Sequence, residues 1–207
     1  LSGVGSARDK ATYMHLGAHD FLPYEYLEQL YLHDDVAARI CDLLPYEMLR
    51  QGFSIEINEE EFKREGLSDL LRDVLVKSRI FGAAFIYVGV DDGLPQDHPL
   101  VASKIKCLRF LNVLTTKDLS HQAFYADPNS DKYGACELYS LNNTSQKTAA
   151  VIHESRLIPF FGTSPLSHRK FPASILQRIY PVLKQFHTAW QATAHLMTDA
   201  AQGIFKL

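Results

Sequence analysis

Cysteine is scarce in this chain: Cys41, Cys107 and Cys136 are three among 207 residues, far apart and without a CxxC pair. That leaves no basis for a cysteine zinc site or a dithiol redox motif. An odd, sparse set fits a reducing compartment, where thiols serve as buried apolar fillers. An excess of positive charge is also lacking, with 21 basic against 24 acidic side chains and a formal net charge of −3. A dedicated DNA or RNA binder is usually clearly basic, so that class is disfavoured, whereas a protein that merely lets DNA pass is not. No apolar run approaches the roughly 18 residues of a membrane span. Leu1–Lys10 holds no signal-peptide core. A GxSxG nucleophile elbow and a GxxxxGKS/T phosphate loop are both missing.

What is present is ordinary for a folded protein: 46% hydrophobic and 22% charged residues. That is enough for one substantial domain or two small ones, and too apolar for disorder throughout. The chain opens on Leu1 and stops inside a helical pattern at Ile204-Phe205-Lys206-Leu207. We expect a fragment of something longer.

Along the chain, Leu1–Pro23 carries Gly3, Gly5, Gly17 and Pro23 and reads as an irregular arm. Leu27, Leu30, Tyr31, Val36, Ile40, Leu43 and Leu44 then share one side of a helical pattern, which Pro45 interrupts and Gly52 ends. A second helix is expected from Asn58, with Glu61 at the capping-box spacing and Gly66 as a break. Leu67, Leu70, Leu71, Val74, Leu75 and Ser78 continue as one stripe that Gly82 stops. The run Ala84-Phe85-Ile86-Tyr87-Val88-Gly89-Val90 predicts a central strand buried on both faces, ended by the turn residues Asp91-Asp92-Gly93. Further strands are expected at Leu108–Thr115, at Glu137–Leu141 and, long or bent, at Ala150–Phe161. Asp127-Pro128-Asn129 and Asn142-Asn143 mark connections.

The last segment has the clearest period. Ile175, Ile179, Leu183, Phe186, Trp190, Ala194, Met197, Ala201 and Ile204 advance in steps of four or three, about 3.6 residues per step. The spacing predicts a long helix with one continuous buried stripe. Pro181 removes a bond to the carbonyl of Gln177, so a kink or a restart is expected there.

The nine histidines invite a metal hypothesis, but His15 and His19 with Asp20 lie in a poor helix and lack a third ligand. His187 and His195 flank the seam of the last helix as polar interface residues. Gly3-Val4-Gly5 follows no strand and leads to no third glycine, so it is no dinucleotide loop. A two-histidine phosphoesterase needs two H-x-S/T motifs, one histidine as base and the other as acid, and only His153-Glu154-Ser155 matches. No catalytic, cofactor-binding or metal-binding residue is assigned, and no cofactor is expected.

Several ordered segments together resemble the portal proteins of tailed phages and prophages. They are Gly5-Ser6-Ala7-Arg8-Asp9-Lys10, Ala37-Ala38-Arg39-Ile40, Phe81-Gly82-Ala83-Ala84 running into Gly89-Val90-Asp91-Asp92-Gly93, and Leu108–Leu114. Ile152-His153-Glu154-Ser155-Arg156-Leu157-Ile158, Ser174–Tyr180 with Gln177 and Arg178, Ala189-Trp190 and Ala194-His195-Leu196 complete the set. Together they span nearly the whole chain. Pro181 departs from the pattern, since a freely helical residue is expected there.

The resemblance implies an α+β fold, helices packed on a mixed β-sheet, with the long last helix leading toward a stem that lies outside these residues. It divides the chain into an arm at residues 1–23, an α/β wing body at 24–172 and the start of the stem-proximal region at 173–207. It implies a non-enzymatic subunit of a ring, typically a dodecamer at one capsid vertex of the virion, assembled in the host cytoplasm. Its partners would be further copies of itself, terminase, capsid and head–tail connector proteins. Double-stranded DNA would pass without sequence-specific binding, and no membrane would be involved. Within that picture Gly82 and Gly89 allow close backbone approach at the ends of the buried strand. Arg156 pairs within the sheet or across a subunit boundary, and Phe160 and Phe161 suit either a ring interface or an intramolecular core. Two other readings stay open: an anti-defence cyclic-nucleotide phosphoesterase or its accessory domain, and a head scaffold or adaptor without a channel.

Overall fold

One extended residue, Asp34, divides the first helical segment in two. Its backbone sits at φ −117°, ψ 108°, and its N–H closes helix α1 (Tyr24–His33) on the carbonyl of Leu30. Its carboxylate then accepts from the N–H groups of Val36 and Ala37, capping helix α2 (Asp35–Leu49). The single helical pattern expected over residues 27–44 is therefore two helices. Pro45 does not interrupt the second: α2 runs through it to Leu49. Ala37, Cys41 and Pro45, four residues apart, form its buried face. These small side chains let the helix lie close to its neighbours, and that burial offsets the one bond Pro45 cannot make.

The computed structural model describes residues 21–52, 66–142, 150–164 and 171–203. The capping box expected at Asn58 and Glu61, most of the arm, and His15 and His19 lie outside the described residues. Two units are distinguished, Pro23–Leu176 and a smaller one combining Leu1–Leu22 with Gln177–Leu207.

In the larger unit, helix α3 (Leu67–Phe81) runs between two glycines with positive φ, Gly66 at 95° and Gly82 at 91°. Strand β1 (Ala83–Asp91) starts immediately after it and pairs antiparallel with β2 (Cys107–Thr115) on one side and β6 (Leu157–Phe161) on the other. A second antiparallel sheet has the order β3 (Leu119–Phe124), β4 (Cys136–Leu141), β5 (Val151–His153). The α+β class holds, but with two three-stranded antiparallel sheets in place of one mixed sheet.

The alternation of β1 explains why its sequence is apolar throughout. Ala84 and Ile86 pack with Val74 of α3, joined by Leu70, Leu71, Leu75 and Val88. Ala83, Phe85 and Tyr87 face the other way, onto Leu119, Ile152 and Leu157 with Tyr139 and Leu141 from the second sheet. Both faces of the strand are thus core, as the unbroken hydrophobic run predicts.

Two tight connections move the chain between the sheets. Thr115–Asp118 leads from β2 to β3, held by the Asp118 carboxylate, which accepts from the Thr115 N–H at 2.8 Å and its hydroxyl at 2.7 Å. Glu154–Arg156, a 3-10 turn, leads back from β5 to β6. The long or bent strand expected over 150–161 is therefore two strands in different sheets. Strand β3 was not anticipated, because Leu119-Ser120-His121-Gln122-Ala123-Phe124 has no apolar run and two register shifts break its pairing.

Helix α4 (Ile175–Gly203) is one helix of 29 residues with Pro181 inside it. The restart considered at Pro181 does not occur. The buried stripe is overturned as well: Leu183 is buried, Ile175 and Ile179 are half-buried, and residues 184–200 are all exposed. Period reveals that a helix has an apolar side, but the partner covering that side need not belong to the same chain.

Candidate functional site

Hydrogen bonds from several segments converge on the tetrapeptide His153-Glu154-Ser155-Arg156, at the crossing from the second sheet back to the first. Arg156 and Ser155 fasten the β1–β2 loop, Glu154 the β3–β4 connection, and the His153 side chain closes the turn itself. The Arg156 guanidinium donates to the Asp92 carboxylate at 2.6 Å and to the backbone carbonyls of His98 and Pro95 at 3.2 Å each. The side chains of this pair are only 3% and 1% exposed. Burial by itself would raise the Asp92 carboxyl. The Leu94 N–H and the Arg156 guanidinium outweigh it and hold the group below its ordinary 3.8.

His153 and Ser155 tie the same loop further along. The Ser155 hydroxyl oxygen accepts from the Leu100 N–H at 2.7 Å, and the His153 N–H donates to the Gln96 carbonyl at 3.0 Å. His153 Nδ1 caps the turn by accepting from the Ser155 N–H at 3.1 Å. Burial pushes its imidazole below the ordinary 6.5. Glu154 faces the β3–β4 connection, where Tyr125 and Lys132 both reach its carboxylate. Burial and the hydrogen bond to Glu154 push the Tyr125 phenol up to about 12. The turn connects the two sheets through the chain itself and binds the β1–β2 and β3–β4 loops to that crossing through hydrogen bonds.

The remaining signature residues lie elsewhere. Gly82 ends α3, and a Cβ placed there would sit 1.9 Å from the Pro172 carbonyl oxygen. A Cβ on Gly89 would enter the Phe110 ring at 2.4 Å. Phe110 is the direct cross-strand partner of Gly89, and a bulge follows at once, leaving Arg109 as the extra residue of β2. Arg109 reaches Asp91 at 2.6 Å, and that hydrogen bond holds the Asp91 carboxyl below its usual range. Gly93 turns with φ 70°. Gln177, Arg178 and Trp190 are on α4: the Gln177 amide oxygen accepts from the Leu22 N–H at 2.8 Å, Arg178 is exposed, and Trp190 stacks on Phe186. Asp92, His153, Ser155 and Arg156 are therefore brought together, and the others are not.

Phe160 packs with the Val74, Ala84 and Ile86 cluster, so only Phe161 of that pair is exposed. The contributions of Tyr125, Lys132 and the Pro95–Leu100 loop were missed. Their partners lie 22 to 61 residues away, and no local pattern marks them. An aromatic group around His121 was missed too: its ring lies 4.1 Å from that of Phe171, with Phe124 and Tyr139 also in contact.

Among the described residues no group of His, Cys, Asp and Glu is placed to hold a metal ion. No helix among them is long and apolar enough to cross a membrane. The side of α4 that carries the apolar period leaves Val182, Phe186, Trp190 and Met197 more than half exposed. Single exposed hydrophobics are common on proteins, but a row of four along one helix is the mark of an interaction surface.

No curated protein matches the chain. The family model described as phage portal protein matches residues 25–207, from the second residue of α1 to the end of the sequence. The match takes in both glycine-bounded ends of α3, the Asp92–Arg156 fastening and the whole of α4, and the chain belongs to the phage portal protein family, with a portal-related structural role.

Proposed function

We propose that this chain is the wing, the peripheral α/β body, of a subunit that assembles into the portal ring through which phage DNA is packaged and ejected. The observation that carries the reading, beside family membership, is the exposed apolar row Val182, Phe186, Trp190 and Met197 on α4. In a ring of identical subunits one face of each copy meets a different face of the next, and such a row would be covered by a neighbour. Within the larger unit the 153–156 turn ties two sheets and two loops together, which suits a load-bearing part. The near-balanced charge suits DNA that must slide, since clustered phosphate-binding groups would add affinity and drag. Terminase, capsid and head–tail connector proteins would be its docking partners, and the portal vertex of the virion its place.

A phosphoesterase needs two H-x-S/T motifs and only His153-Glu154-Ser155 matches, with the His153 Nδ1 already engaged by Ser155. No observation favours it. Negative-stain imaging of the full-length protein tests the proposal. Rings with a central channel are expected, and compact particles without one would overturn it.

A further inference from the structure

We propose that His153 is an acid-sensitive latch, whose protonation loosens the attachments of the β1–β2 loop at Gln96 and Leu100, while Arg156 keeps its hold on Asp92, Pro95 and His98. The argument starts from donor and acceptor roles. The Ser155 backbone N–H can only donate, so the His153 Nδ1 it points to at 3.1 Å carries no proton. The Ser155 hydroxyl lies 2.9 Å from the same nitrogen, so its hydrogen also turns toward Nδ1. That orientation leaves the Ser155 oxygen open to accept the Leu100 N–H at 2.7 Å. The three groups form one directed chain, from Leu100 through Ser155 to His153, and its last link holds only while Nδ1 is unprotonated.

A proton on Nδ1 sets a donor against two donors. The Ser155 N–H loses the acceptor that closes the turn, beside a histidine only 5% exposed, although Ser155 itself lies at the surface. The hydroxyl must rotate, and the imidazole must turn away from the cap. His153 also holds the loop through its own backbone, at the Gln96 carbonyl, so moving this residue loosens two attachments together.

The surroundings balance the proton rather than dictate it. Glu154 on the turn and Glu137 on β4 favour the imidazolium, while Arg156 on the turn and Lys132 from the β3–β4 connection oppose it. Glu154 is already engaged by Tyr125 and Lys132, and Arg156 by Asp92. On the loop itself Asp97 and His98 pair with each other at 2.9 Å. Burial, the largest influence, keeps His153 neutral near neutral pH, so acid is the trigger.

Hydrogen exchange of the chain at about pH 7.5 and about pH 5, corrected for the intrinsic pH dependence of exchange, reads the latch directly. In the wild type, peptides covering residues 94–106 should lose protection severalfold in acid. His153→Asn, whose amide oxygen accepts from Ser155 at either pH, should keep the loop protected at both. Equal protection of the wild-type loop at the two pH values would overturn the proposal. So would a His153→Asn loop that opens in acid as far as the wild type. Nitrogen NMR of the wild-type imidazole supplies a check that does not depend on the variant folding: Nδ1 should be unprotonated at neutral pH, and a proton there would sink the latch.

Discussion

Arg156 and Asp92 lie 64 residues apart in sequence and meet at 2.6 Å, with almost no solvent access to either side chain. Isolated buried ion pairs are poor sources of stability, because desolvation cancels much of the attraction. This one is supplemented by carbonyls from Pro95 and His98 and by the Leu94 N–H on Asp92, so the lone pairs and protons are shared among neutral partners as well. With the Pro95 and His98 carbonyls, the pair ties the β1–β2 loop to the crossing between the sheets.

Arg156→Met should lower the melting temperature by roughly 10 °C, the scale for removing one member of a buried pair from a chain of this size. Adding Asp92→Asn should recover part of that loss, because the orphaned charge is what costs most. Thermal unfolding followed by circular dichroism separates the two variants. A single variant as stable as the wild type would mean that the pair is dispensable.

Gly82, just before β1, and Gly89, inside it, should respond differently to alanine. Gly82 has φ 91° and meets a backbone oxygen, which cannot step aside, so Gly82→Ala should cost at least about 1–3 kcal/mol in strain. Gly89 meets only the ring of Phe110, a side chain 40% exposed, and Gly89→Ala should cost about 1 kcal/mol, the low end of overpacking. Urea denaturation of the two variants checks the order.

Burial lowers His121 within its aromatic surroundings. A histidine whose folded value is depressed contributes stability that is complete above its ordinary 6.5 and is lost as pH falls through the folded value. Stability of the wild type should therefore decline on the acid side of neutrality. His121→Phe should flatten part of that decline while keeping the ring contacts. Denaturation midpoints across pH 5 to 7.5, roughly the range in which histidines titrate, would show whether the slope changes.

On α4, Trp190→Glu should leave the stability of the isolated 207-residue chain within about 0.5 kcal/mol, as expected for an exposed position. In the full-length protein the same change should prevent ring formation in negative stain. Normal rings from the variant would remove Trp190 from the interface.

Much of the architecture was legible because it is written locally. The apolar run of β1, the Gly82 stop and the 3.6-residue period of α4 each follow from side chains within a few positions of one another. Asp34 was legible in principle, as a cap residue between two helical stretches, but the continuous apolar spacing across it hid the break. Strand β3 was hidden for the opposite reason. Its inward positions include His121, a residue that patterns read as polar and that here packs among aromatic rings.

The sequence by itself determined most of the helices and strands, though neither β3 nor the break at Asp34, and that β1 is buried on both faces, that α4 has an apolar side, and the family to which the chain belongs. Only the tertiary structure decided that Ala150–Phe161 is divided between two sheets, that Arg156 takes Asp92 as its partner, and that α4 leaves its apolar side uncovered. The difference is physical. Periodicity and turn chemistry arise from backbone geometry over a few residues, whereas the choice of partner depends on which distant surfaces exclude water together.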